Sequence, residues 1–174
     1  MTKTVTAAQL CAKAKELLHL LRGREERFCT AESCTGGLIA KAITDLSGSS
    51  SVFSGAFVTY TNEVKINVLG VPGEVIAKHT EVSLACAEEM AKAARERMQC
   101  EYALSTTGVA GPTGGDEKNP VGTVYIAVAT PEGVYSERFC APLGATRTGV
   151  RTGAAFRAME LLCQRLEGSK IEKI

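Results

Sequence analysis

A chain of 174 residues with 20 Lys and Arg against 19 Asp and Glu, a net charge of +1, has the length of one domain; about 150 residues already bury roughly 70% of their unfolded surface. So even a balance excludes a general nucleic-acid surface, which works by neutralising several phosphates at once. No apolar run approaches the roughly 20 residues of a bilayer span, so a cytoplasmic protein without nucleic-acid or membrane partners is expected.

Met1 to Arg22 reads as an amphipathic helix and lacks a signal-peptide core, with Leu10, Ala14, Leu17, Leu18 and Leu21 on one face. Phe28 to Ala31 is a short strand, and Leu38 to Leu46 a second helix. Gly55 to Tyr60 is β-rich and ends where Thr61-Asn62-Glu63 can cap a short helix through Leu69, stopped by Gly70. Val71-Pro72-Gly73 turns into another short helix. His79 to Ser83 links it to a long helix through Met98, and Tyr102 to Thr106 is a third strand. Gly108 to Gly122 is a glycine-rich loop. Val121 to Thr130 and Val134 to Cys140, split by Pro131-Glu132-Gly133, read as an antiparallel hairpin. The last helix runs from about Thr146 to Leu166. This alternation predicts one three-layer α/β/α sandwich domain over 1–167, with a mixed, mostly parallel sheet of five to six strands, and a charged tail over 168–174.

Seven cysteines, at 11, 29, 34, 86, 100, 140 and 163, are odd in number and form no Cys-x-x-Cys or Cys/His cluster. That spacing speaks against a zinc site and for small buried residues in a reducing cytosol. Only Cys34 has a chemically suggestive address, beside Ser33.

Ser33 sits where a strand meets a helix. Unpaired amides converge at such a turn and carry about half a positive charge, and Gly36-Gly37 lets a ligand approach the backbone. The place suits an anion or an oxyanion, although a hydroxyl there can simply cap the helix. A nucleophilic serine needs a base, and neither Ser-x-x-Lys nor Gly-x-Ser-x-Gly surrounds Ser33. His19 lies among leucines and His79 in a polar linker, which makes a Ser-His-Asp triad weak. Lys65, five residues after Tyr60, would share with it the rim where ligands bind in open α/β sheets. It can act as a base near neutral pH only if its surroundings depress its pKa well below the ordinary value; otherwise it is a solvated surface lysine.

Two further clusters bear on binding. Thr106 to Gly115 follows a strand but fits neither a phosphate-binding Walker loop nor a dinucleotide fingerprint, and loops of this length are more often functional than idle. Thr107 is its most plausible hydrogen-bonding contact. Arg147 and Arg151, four apart in the first turns of the last helix, oppose its dipole. An anion such as a phosphate would remove that penalty.

Taken in order, Ala31-Glu-Ser-Cys-Thr-Gly-Gly37, Gly48-Ser-Ser50, Phe57-Val-Thr-Tyr-Thr-Asn-Glu-Val-Lys65, Leu69-Gly-Val71, Thr107-Gly-Val-Ala-Gly-Pro112 and Pro120-Val-Gly-Thr-Val124 resemble the CinA C-terminal domain, the nicotinamide mononucleotide deamidase family, over residues 8–166. The resemblance implies hydrolysis of the carboxamide of nicotinamide mononucleotide to the acid and ammonia, without metal or cofactor, by an enzyme that assembles as a dimer or larger homo-oligomer. Ser33 would be the nucleophile, Lys65 its base and Tyr60 a relay or orienting hydroxyl. Cys34, Thr35, Gly36, Gly37, Thr107, Gly108 and Gly111 would line the substrate, with the Thr35 to Gly37 amides as oxyanion donors. Arg147, with Arg151, would meet the phosphate. The chain departs from the family pattern at Thr146, where relatives often carry an acidic residue, and at Asn119, where lysine is frequent; the family's molybdopterin-binding-like module has no counterpart here. Two other readings are a catalytically silent nucleotide-binding module of the same fold and a thiol amidase that uses Cys34.

Overall fold

In the computed structural model, which describes residues 4–168, five strands form one sheet in the order β2-β1-β3-β4-β5. They are β1 (Phe28–Glu32), β2 (Phe53–Val58), β3 (Tyr102–Gly108), β4 (Thr123–Ala129) and β5 (Val134–Cys140). The β1 strand pairs in parallel with β2 and β3, while β4 is antiparallel to both β3 and β5. Four strands therefore run one way and β4 runs against them, which is the mixed, mostly parallel sheet expected. The hairpin begins at Thr123 rather than Val121, because Gly122, at φ +99°, donates its amide to the Val109 carbonyl in the turn before it.

Helices cover both faces. The α1 helix (Ala7–Arg22), α2 (Leu38–Thr44) and α6 (Arg147–Gly168) lie on one, and α5 (Leu84–Met98) on the other. All five leucine and alanine positions read from the α1 period are buried. A capping box starts this helix, with the Thr6 hydroxyl accepting from the Gln9 amide and the Gln9 side chain accepting from the Thr6 amide. Opposite, α5 presents Cys86, Ala87, Met90, Ala91 and Ala94 to a second core with Cys29, Ala31, Ala103 and Ala127. Small residues on both surfaces let helix and sheet approach closely. With both faces covered, β1 and β4 are buried along their whole length, whereas the edge strands β2 and β5 are mostly half-buried.

Three segments differ from the pattern in the sequence. The α3 helix (Asn62–Val64) widens at once into a π turn over Lys65–Leu69, in which Gly70 donates to the Lys65 carbonyl at 3.0 Å. Such i to i+5 turns recur at functional sites. The α4 helix (Gly73–His79) takes in His79, which shortens the expected linker to 80–83. The α6 helix runs on to Gly168, so that residue is helical and not tail; the remainder of the expected tail, 169–174, lies outside the described residues. Among the described residues no helix is long and apolar enough to cross a membrane.

Candidate active site

The parallel ladder places the first two groups. Beyond the last paired residues of β1, the Ser33 amide donates to the Thr106 carbonyl and the Thr59 amide to the Glu32 carbonyl, both at 2.9 Å. Ser33 and Thr59 are thus held level at the carboxyl ends of neighbouring strands. After Ser33 the chain folds back on itself, with the Gly36 amide donating to the Ser33 carbonyl at 3.0 Å and Gly36 and Gly37 at φ +60° and +87°. Both angles favour glycine.

The positive end of α2 is not open to a ligand, contrary to the reading from sequence, because the buried Glu32 carboxylate meets it. Its oxygens accept from the Ile39 amide at 3.1 Å and the Ala40 amide at 2.9 Å, and from the hydroxyls of Thr35 at 2.7 Å and Thr30 at 3.2 Å. The Thr35 hydroxyl also shares a 2.7 Å hydrogen bond with Thr106. This carboxylate fixes the turn that carries Ser33, a role that sequence reasoning missed.

Lys65 starts the π turn and reaches back under Ser33. Its side chain is 1% exposed, and Nζ lies 2.9 Å from Ser33 Oγ and donates to the Thr59 carbonyl at 2.9 Å. No carboxylate lies within ion-pair distance of Nζ among the described residues. Burial drives the Lys65 pKa below its ordinary value, and charge interactions, that with the Glu81 carboxylate among them, only partly oppose it. An amine held toward its neutral form beside a serine hydroxyl can take that hydroxyl's proton.

Ser33 and Lys65 open into a cavity of about 390 Å³, lined also by Cys34, Tyr60, Glu81, Thr107, Gly108, Gly111 and Arg147. That volume lies within the range of small-ligand sites. Arg147 spans the rim, donating from Nη2 to the Tyr60 hydroxyl at 2.8 Å and from Nη1 to the Gly111 carbonyl at 2.6 Å. Tyr60 is 58% exposed, and its hydroxyl is bound to Arg147. The Thr107 hydroxyl donates to the Glu81 carbonyl at 2.6 Å, so its first partner is protein.

Other expected contacts are placed differently. Arg151 donates from Nη2 and Nε to the Thr35 carbonyl, at 2.7 and 3.2 Å, and packs where a Cβ on Gly36 would be; it braces the Ser33 turn. Thr35, Gly36 and Gly37 do not line the cavity, and the Gly36 amide is already engaged. Burial pushes the Cys34 thiol up to about 12, which removes the thiolate that a cysteine nucleophile requires. His19 and His79 are exposed and neither lines the cavity. Glu81, in the short linker before α5, carried no motif that could have announced it. Among the described residues no group of three or more His, Cys, Asp and Glu could hold a metal ion.

With this geometry established, the sequence profile of the CinA C-terminal domain matches residues 11–166. The chain belongs to the CinA C-terminal domain family. A CinA-like protein of Shewanella pealeana is 44% identical over 96% of this chain and 39% of its own length; one from Flavobacterium psychrophilum is 46% identical over 82% and 34%. The chain thus spans well under half the length of these CinA relatives. Solved structures match over nearly their full length. The competence/damage inducible protein CihA of Agrobacterium tumefaciens superposes with a TM-score of 0.87 at 35% identity, covering 96% of this chain and 99% of its own. The competence damage-inducible protein A of Klebsiella pneumoniae gives 0.86 at 32%, covering 91% and 97%.

Proposed function

We propose that this CinA-family domain is an amidohydrolase that converts nicotinamide mononucleotide to nicotinate mononucleotide and ammonia in the recycling of pyridine nucleotides. The observation that carries the reading is the buried Lys65 amine, without an ion-pair partner among the described residues, 2.9 Å from Ser33 Oγ. Lys65 takes the Ser33 proton as Oγ bonds to the carboxamide carbon. The resulting ammonium returns that proton to the departing nitrogen as the C–N bond breaks, which releases ammonia and leaves an acyl ester on Ser33. Water, deprotonated by Lys65, then attacks the ester carbon, the C–Oγ bond breaks, and the proton passes back to Ser33. Atoms and charge balance without an external reagent.

Arg147 suits the nucleotide's phosphate. Two of the five guanidinium donors are engaged on the rim, and the others remain for a phosphate oxygen. Tyr60, fixed by the same arginine, orients substrate or relays a proton at the mouth. The test is coupled detection of ammonia with nicotinamide riboside, its monophosphate and the dinucleotide. The reading expects turnover of the monophosphate that Ser33→Ala abolishes while leaving the protein folded. Tight binding without ammonia release would instead make the domain a silent nucleotide binder.

A further inference from the structure

Three charged side chains line the cavity: Lys65, Arg147 and Glu81. The first is buried beside Ser33 and the second is tied to Tyr60 and Gly111. The Glu81 carboxylate, half-buried, makes no hydrogen bond or ion pair among the described residues.

Its backbone, in contrast, is pinned at two successive carbonyls. The Glu81 carbonyl accepts from Thr107 at 2.6 Å and the Val82 carbonyl from the Asn119 amide group at 3.1 Å. Asn119, 4% exposed, is itself fixed by the Tyr125 hydroxyl, which donates to it at 2.9 Å. Ser83 caps α5 on the far side. Just before Glu81, Thr80 holds φ +67° and ψ 167°, a region occupied almost only by glycine and retained where surrounding structure enforces it, often at ligand sites. A carboxylate without a hydrogen-bond or ion-pair partner among the described residues, on a segment held at these points, is pre-organised for something that the cavity admits.

Resting on the deamidase reading, we propose that Glu81 is a specificity-determining residue that selects a positively charged pyridinium ring. The carboxylate faces the ring's cationic charge while Arg147 receives the phosphate, so the cavity matches a ligand that is positive at one end and negative at the other. A reduced nucleotide of nearly the same shape, with a neutral dihydropyridine ring, lacks the group that Glu81 reads.

The pair of nicotinamide mononucleotide and its 1,4-dihydro form tests this. Calorimetric Kd values are measured in Ser33→Ala protein, with and without Glu81→Gln, and kcat and KM in Glu81→Gln alone. The expected result is about a tenfold weaker Kd for the oxidised nucleotide, less than twofold change for the reduced one, and a raised KM with kcat within about threefold; Glu81→Asp retains the preference. Parallel weakening of both ligands would overturn the proposal by assigning Glu81 to shared parts such as the ribose hydroxyls, and so would no change in either. A fall in kcat alone would overturn it too, as a role in tuning Lys65. If the unaltered enzyme releases no ammonia, the hydrolysis reading falls by itself, because the two Kd values still report selection by ring charge.

Discussion

Replacing Lys65 with methionine separates chemistry from stability. The amine contributes two contacts of 2.9 Å, to Ser33 Oγ and the Thr59 carbonyl, each worth about 1 kcal/mol, so about 2 kcal/mol is lost. Against this, burial lowers the lysine pKa below 10.5 and so takes stability from the wild type at pH values below that, a cost that methionine removes. The two effects oppose each other, and the variant is expected to lose less than about 2 kcal/mol at neutral pH. Ammonia release, however, falls by at least about 10³, or about 4 kcal/mol of transition-state stabilisation. The pH dependence carries a sign of its own. With the folded pKa depressed, the unfolded chain binds more protons between that value and 10.5, so wild-type stability rises with pH across this window and Lys65→Met lacks the rise. Wild-type kcat/KM climbs along the same deprotonation. Denaturant melts at several pH values and steady-state ammonia assays measure both. A folded Lys65→Met enzyme within tenfold of wild-type activity, or one with an unchanged stability slope, would refute the assignment of the base.

Glu32→Gln leaves a buried N–H donor facing an amide group where a carboxylate oxygen now accepts, at a cost of about 1–3 kcal/mol; calorimetry should find Tm lower by about 3–10 °C, and a change under 2 °C would dismiss the cap. In Gly108→Ala the new Cβ would stand 2.4 Å from the Thr123 carbonyl oxygen and 2.6 Å from Val124 Cα, so β3 and β4 must part. A loss of about 3 kcal/mol is expected, whereas Gly23→Ala, with its nearest neighbour at 3.6 Å, should leave Tm within 2 °C. Arg147→Ala is expected to raise KM for the mononucleotide about 30-fold and for the riboside less than threefold, consistent with a lost charge-assisted contact of about 2 kcal/mol; equal effects on both substrates would deny it the phosphate.

The helices and the hairpin were legible because burial imposes a period. Each apolar position counted along α1 is in the core, and the strands follow their β-branched and small-residue runs. The Ser33 and Lys65 partnership was legible by elimination of the histidines and from the place of Lys65 on the sheet rim, and more specifically as an ordered set of motifs; nothing local in either segment points to the other, and the sheet supplies the link through Thr59. Glu32 was hidden because its cap on α2 is made to the backbone amides of Ile39 and Ala40, which leave no mark in side-chain chemistry. The spacing of Arg147 and Arg151 put both on one helical face, yet the Thr35 carbonyl captured the second. A helical period also cannot distinguish an α turn from the π turn at Lys65, because the extra residue is absorbed by the backbone.

The extension of the ladder past β1 has a consequence for how activity and folding are coupled. The proposed nucleophile and base and the rim arginine come from segments beginning near residues 33, 65 and 147, and the first two meet only when the neighbouring strands zip to their ends. No fragment or half-formed intermediate can present the dyad. Turnover should therefore disappear in step with the far-ultraviolet signal during denaturation, which makes an enzymatic assay a sensitive gauge of the intact population.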